Sequence, residues 1–144
     1  NRRFLMSQFI KSYQAQVGIN HTPAYQVSGR PFATGSINAS GGAVKIEFPY
    51  VTRWIYVVNH DNGGSAHCKI GFSEAGVNGT NYFRIGPQSG NEHTQNTGRL
   101  ELKVSELWLS GSGEVDIVAG LTSIPTSRTT TDSGPSFSGS VGVG

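Results

Sequence analysis

The segment Arg53-Trp54-Ile55-Tyr56-Val57-Val58-Asn59-His60 decides the fold of this chain. Five of its eight residues are apolar, and all five are β-branched or aromatic. Side chains of this kind fit a pleated, packed surface. Pro49 precedes the segment and Asp61-Asn62-Gly63-Gly64 follows it, so both ends carry boundary signals. Because the apolar run is nearly continuous, it predicts a strand buried on both faces at the centre of a sheet.

Alternating segments on both sides of this strand predict further strands. Residues 43–48 and 66–73 alternate apolar and polar side chains, and the second segment is predicted to form a hairpin with 53–60. Leu100, Leu102 and Val104 alternate with polar residues and predict a strand, which bends or bulges near Ser105 and continues through Leu107-Trp108-Leu109. Gly111-Ser112-Gly113 turns it back into 114–121 as a second hairpin. Weaker patterns predict three short strands: 25–28, 32–38 and 82–85.

This pattern of many short strands, frequent turns and almost no helix predicts an all-β fold. The architecture is an antiparallel β-sandwich, plain or of the jelly-roll type, and we favour jelly-roll-like connectivity. Residues 23–122 form the sandwich domain in this prediction. Residues 1–22 are an N-terminal arm or short helix, and residues 123–144 are a tail rich in Gly, Ser and Thr.

The N-terminal residues carry a row of apolar side chains at four-residue spacing. Phe9, Tyr13 and Val17 form the row, and Leu5 extends it backwards. The spacing fits one short amphipathic helix, which would be marginal alone in water. The alternative is an extended arm whose aromatic side chains dock onto a neighbour. We favour the arm, because Gln, Ser and Gly dilute the pattern.

The C-terminal tail is predicted to be flexible by itself. Its composition offers too little apolar surface to offset the entropy of ordering it. An ordered tail therefore needs a surface to lie against. We favour the surface of another subunit, and the alternative is that residues 123–144 pack on their own domain.

Composition excludes several partner classes. The net charge is +2, charged residues make up 14% of the chain, and the arginines are scattered, so no specific nucleic-acid surface is expected. No apolar stretch approaches the ~20 residues that span a bilayer, and we recognise no secretion signal. Cys68 is the single cysteine, which excludes an intrachain disulfide and favours a buried side chain.

No constellation of residues indicates a reaction. His60, Asp61 and His67 flank one turn, but a metal site needs three or four convergent ligands. Glu114 and Asp116 share a strand face, where solvation is the favoured role. No serine lies in a nucleophile elbow. We therefore predict a protein that is not an enzyme, with no catalytic, metal or cofactor-binding residues.

Aromatic residues support an alternative, a carbohydrate- or receptor-binding module. Its ligand-binding residues would be Tyr82, Phe83, Glu92 and His93, which belong to the long irregular region 74–97. Trp54 and Trp108 also lie on predicted strands, and we expect both in the core.

The overall layout resembles small virion structural proteins of tailed bacteriophages, namely head decoration or cement proteins. The features that carry the resemblance are the arm, the Gly-rich sandwich, the tail, and two runs, Val27-Ser28-Gly29-Arg30-Pro31-Phe32 and Pro49-Tyr50-Val51-Thr52-Arg53-Trp54. The resemblance implies a non-enzymatic subunit of a virion that stabilises a capsid through its sandwich and its terminal arms. The implied partners are the major capsid protein or neighbouring subunits, with a homo-oligomer expected and no membrane.

The two terminal segments supply the candidate assembly residues, because arms that cross subunit boundaries add buried area at every symmetric contact. The candidates are these: Phe4, Phe9, Tyr13, Val17, Ile124, Arg128 and Phe137.

Overall fold

The computed structural model of the protein describes residues 29–62, 67–87, 95–131 and 134–144. These residues form nine strands, one short α-helix and one 3₁₀ turn. The strands are β1 Arg30–Ile37, β2 Val44–Glu47, β3 Tyr50–Asn59, β4 Cys68–Gly71, β5 Tyr82–Ile85, β6 Glu106–Ser110, β7 Val115–Pro125, β8 Thr130–Thr131 and β9 Gly134–Pro135. The α-helix, α1, is Glu74–Asn78, and the 3₁₀ turn is Thr126–Arg128.

Two antiparallel sheets enclose one hydrophobic core. Sheet A has the order β1-β7-β3, and sheet B has the order β2-β6-β4-β5. The core combines Ile55 and Ile117 of sheet A with Ile70 and Leu107 of sheet B. The predicted all-β antiparallel sandwich is therefore confirmed, and jelly-roll connectivity stays a prediction. No helix among the described residues is long and apolar enough to cross a membrane.

The strand at the centre of sheet A is β7, and the prediction that 53–60 is buried on both faces is wrong. Ile55 and Val57 of β3 are fully buried, whereas Trp54, Tyr56 and Val58 are only half-buried. One edge of β3 pairs with β7, and its other edge contacts residues 95–104 through isolated bridges. A nearly continuous apolar run does not distinguish a doubly buried strand from a strand with an apolar outer face.

Both predicted hairpins are wrong, because each pair of strands is divided between the two sheets. β3 belongs to sheet A and β4 to sheet B, while β6 belongs to sheet B and β7 to sheet A. Residues 111–114 therefore cross the roughly 10 Å between packed sheets. Gly111, with φ of +95°, makes one crossing possible, since a Cβ there would lie 2.6 Å from the His67 carbonyl oxygen.

The strand predicted from Leu100 to Val104 is also wrong. Leu100 forms a single bridge to Ile55. The residues after it are held to β3 by one backbone hydrogen bond, from the Thr52 N–H to the Val104 carbonyl (3.0 Å), and by the Thr52 side chain. The Thr52 hydroxyl donates to the Leu102 carbonyl (2.6 Å) and accepts from the Val104 N–H (3.1 Å). The alternation reported which side chains face the core, but the register shifts of β3 near Thr52 interrupt regular pairing.

Helix α1 lies in the region predicted to be mostly loop. Ser73 caps it, since the Ser73 hydroxyl accepts a hydrogen bond from the Gly76 N–H (2.9 Å). Five residues are too few to show helical periodicity in a sequence, which explains why the pattern predicted no helix.

The predicted tail is not separate from the domain. β7 continues to Pro125, past the expected boundary at residue 122. Residues 126–131 and 134–144, which we call the C-terminal strap, then return over the outer face of sheet B. Phe137 packs against the core cluster, and the Ser73 hydroxyl donates to the Val143 carbonyl (2.7 Å). Of the two interpretations of this segment, the single chain shows packing on its own domain.

Candidate functional site

The outer face of sheet A carries a row of apolar side chains. The register places Ala33, Val118 and Tyr56 in one row across the three strands, and Pro31, Gly120 and Trp54 in the next. Side chains that are directly opposite in antiparallel strands point to the same side of the sheet. We call this surface the apolar face; its side chains are those of Pro31, Ala33, Trp54, Tyr56, Val58 and Val118.

Small residues hollow the centre of the apolar face. A depression of about 470 Å³ lies between Ala33 and Gly35 on one side and Tyr56 and Val58 on the other, with Val118 at its floor. Val118 is 37% exposed, which makes it one of few large apolar side chains that the described part of the chain leaves so open. Contiguous exposed apolar surface of this kind marks contact sites on soluble proteins.

Polar groups form the rim of the apolar face. The Asp116 carboxylate accepts a hydrogen bond from the Ser36 N–H (2.9 Å) and lies 3.8 Å from His60 Nε2. At the other end, the Arg99 guanidinium lies 5.8 Å from the centre of the Trp54 ring. An apolar centre with a polar rim is the usual anatomy of a protein–protein contact.

Asp116 was expected to be a solvated strand residue, and the structure gives it a structural task. Ser36 adopts φ of +55°, an uncommon conformation for a residue other than glycine. It lies in the irregular part of β1, where the register with β7 shifts between Thr34 and Ile37. By accepting from the Ser36 N–H, Asp116 holds this bulge against the sheet, while Glu114 is exposed.

The histidine and aspartate residues near residue 60 are not brought together as a metal site. The Asp61 carboxylate accepts from the Gly113 N–H (2.7 Å), and so helps to fasten the crossing between the sheets. Asn59 is buried nearby, and its side-chain carbonyl accepts a hydrogen bond from the Ser112 hydroxyl (2.7 Å). Among the described residues, no three His, Cys, Asp or Glu side chains are grouped to hold a metal ion.

The outer face of sheet B carries charge and is partly covered by the C-terminal strap. The Glu106 side chain is only 10% exposed, accepts a hydrogen bond from Trp108 Nε1 (2.8 Å) and lies 3.7 Å from Lys45 Nζ. Cavities of about 210 and 230 Å³ lie on either side of the Gly134–Pro135 strand, and both are bounded by Lys45 and Glu106. The hydrogen bond from Lys45 to Glu47 (2.7 Å) raises the pKa of Lys45.

The predicted ligand-binding residues do not form one platform. Tyr82 lies beneath the Lys69 ammonium, 4.8 Å from the ring centre, and Phe83 is 37% exposed. These are consecutive residues of one strand, so their rings point to opposite faces of sheet B. Glu92 and His93 lie outside the described residues. The expectation that Trp54 and Trp108 belong to the core is wrong, since both are half-buried on outer faces.

The predicted assembly residues are distributed differently. Ile124 is fully buried in β7, so its side chain has no surface to offer a partner in this conformation. Arg128 is exposed at the start of the strap, and Phe137 is half-buried against the core. The other four candidates lie outside the described residues: Phe4, Phe9, Tyr13 and Val17.

Sequence reasoning missed the apolar face although its strongest element lies in the segment 53–60. Trp54, Tyr56 and Val58 alternate with Ile55 and Val57, so both faces of this strand are apolar. The apolar second face was interpreted as burial on both sides.

Comparison of the chain with protein-family models, curated proteins and solved structures finds no match.

Proposed function

We propose that this chain is a non-enzymatic structural subunit that holds an assembly together, and that the apolar face is its main contact surface. The observation that carries this proposal is the exposed apolar centre around Val118 and Tyr56 within a polar rim. The layout of arm, sandwich and tail supports a virion setting, in which the chain acts as a capsid decoration or cement protein. Its partners there are neighbouring copies and the major capsid protein.

The energetics of the apolar face suit repeated contacts. Complete burial of a Val or Phe side chain contributes about 1.5–3 kcal/mol. Four large side chains of the apolar face are only half-buried or exposed, and covering their remaining surface would contribute a few kcal/mol to the free energy of association. They are Trp54, Tyr56, Val58 and Val118. One such contact holds two subunits only weakly. Contacts repeated over a symmetric assembly act together, because each further contact forms at high effective concentration.

A carbohydrate-binding module is the second candidate, and one observation favours it. Trp54 and Tyr56 are two residues apart and stand side by side, half-exposed, on one sheet face. Two such rings resemble the aromatic platforms on which sugars stack. The depression beside them is lined mainly by Ala33, Val58 and Val118, which offer a sugar few hydrogen bonds. This composition fits an apolar protein side chain better than a polyhydroxylated ligand.

A charge placed on the apolar face tests the proposal. We expect the full chain to self-associate with increasing concentration in sedimentation velocity, and Val118→Glu to remain monomeric because a carboxylate at the centre of a contact is costly to desolvate. Val141→Glu is the matched control, since Val141 is fully exposed on the strap. A wild-type chain that stays monomeric throughout contradicts the proposal, and binding to a glycan array that Trp54→Ala abolishes would favour the second candidate.

A further inference from the structure

The C-terminal strap ends in a groove that accepts backbone and little else. Gly76 forms the floor of this groove, and a Cβ added there would overlap the Val143 carbonyl oxygen. The Ser73 hydroxyl donates to that oxygen while it accepts from the Gly76 N–H. Gly144 packs on Gly76 just as closely, since a Cβ on Gly144 would lie 2.9 Å from the Gly76 nitrogen. The groove and the strap are therefore complementary at the level of individual backbone atoms.

The strap leaves the domain through an exposed hinge. β7 ends at Pro125, whose backbone is extended with φ of −63° and ψ of +141°. The 3₁₀ turn Thr126–Arg128 follows, contains no buried residue and has no side-chain cap at its start. The turn itself has no fully buried side chain, and the buried Thr129 follows it within the strap. A change of backbone direction at the turn therefore moves Thr129 together with the strap and leaves β7 folded.

Few side chains attach the strap to the sandwich. Thr129 and Pro135 are buried and Phe137 is half-buried, whereas Val141 is fully exposed. Docking on the same chain and docking on a second copy use the same atoms in the groove. Docking on the same chain is therefore favoured chiefly because the tethered strap has a high effective concentration at its own groove. In an assembly, a strap on an adjacent copy also reaches a high effective concentration at that groove.

We propose that neighbouring copies exchange their C-terminal straps, so that the Gly76 groove of one copy receives residues 134–144 of the next. The partner is a second copy of this chain. The inference rests on the proposed function, which brings copies side by side. The groove lies on the outer side of sheet B and the apolar face on the outer side of sheet A, so one subunit can use both surfaces at once.

Variants that each carry one added cysteine test the exchange. Glu74→Cys places a thiol beside the groove, and Val141→Cys places one on the strap; both positions are exposed. The native Cys68 stays silent, because burial raises the pKa of its thiol to about 12 and shields it. The two variants, one carrying a size tag, are mixed at a concentration at which the chain associates, and then treated with a short bismaleimide.

Exchange predicts a linked species that contains both variants and that is lost when Gly76→Val is added to the Glu74→Cys chain. Each variant treated alone controls for links through unrelated contacts. A chain that carries both Glu74→Cys and Val141→Cys shows whether the two thiols link within one molecule. If that chain links internally while the mixture yields no mixed species, exchange is wrong. Self-association that Val118→Glu abolishes would then leave the proposed function standing, whereas a chain that neither associates nor cross-links contradicts both.

Discussion

Replacing Thr52 with valine tests how residues 100–104 are held against β3. Thr52 is fully buried, and its hydroxyl adds two side-chain hydrogen bonds to the backbone bonds that join β3 to the segment beside it, among them Thr52 N–H to the Val104 carbonyl (3.0 Å). It donates to the Leu102 carbonyl at 2.6 Å and accepts from the Val104 N–H at 3.1 Å. Valine keeps the shape of threonine but removes both hydrogen bonds, so that two backbone groups lose their partner at a buried position.

The expected cost follows from those two groups. Each buried polar group without a partner costs about 1–3 kcal/mol, which gives about 3 kcal/mol for the pair if both groups relax in part. In a domain of this size, a loss of 1 kcal/mol lowers Tm by roughly 2–4 °C, so we expect Thr52→Val to lower Tm by about 6–12 °C. Thermal unfolding followed by circular dichroism measures the change.

Thr130→Val is the matched control for this experiment. Thr130 is exposed, and its hydroxyl donates to the Thr126 carbonyl (3.1 Å) within the strap. Water replaces that bond, so the control should change the free energy of unfolding by about 0.5 kcal/mol or less. If Thr52→Val unfolds at the same temperature as Thr130→Val, the hydroxyl does not hold the segment and the reasoning is refuted.

Two further predictions concern the strap and the core. Gly76→Ala should release the strap, because the added methyl overlaps the Val143 carbonyl; trypsin should then cut after Arg128 faster than in the wild type, and equal rates would show that the strap tolerates the methyl. Burial raises the pKa of Cys68 to about 12, so its thiol should react with a disulfide reagent near pH 8 only after urea unfolds the chain. The thiol ionises at a lower pH in the unfolded chain than in the folded one, so ionisation favours the unfolded chain. The free energy of unfolding is therefore unaffected by this group below pH ~9 and falls as the pH rises from there towards 12. Fast labelling of the native protein would contradict this.

The candidate site illustrates how a correct local observation leads to a wrong assignment. The run from Trp54 to Val58 is apolar on both of its faces, and the sequence identifies it as a strand. The outer face of this strand is buried only if another layer of the structure packs on it, and the local sequence does not show whether such a layer exists. In the described residues, helix α1 and the strap lie on sheet B instead, so Tyr56 and Val118 stay open.

Local sequence patterns were enough to predict the class of the fold. Alternation of apolar and polar side chains is a local property, because neighbouring residues of a strand point to opposite sides, and it predicted strands that overlap β1, β2, β4 and β7. Short apolar runs predicted β3, β5 and part of β6, and all of these segments together indicated the antiparallel sandwich. It also separated the glycine- and proline-rich connections from the strands they join.

Local patterns did not reveal which strands pair, which face stays open or where the last residues lie, because these depend on contacts between distant segments. Hydrogen-bond partners in a sandwich come from distant segments, and a short connection can turn within one sheet or cross to the other. The same holds for the strap. Its residues have too little apolar surface to fold alone, and they are ordered by contacts with a groove formed by Ser73 and Gly76, which lie far from them in the sequence. Local sequence encodes the faces of each strand, and the packing of whole sheets selects what covers them.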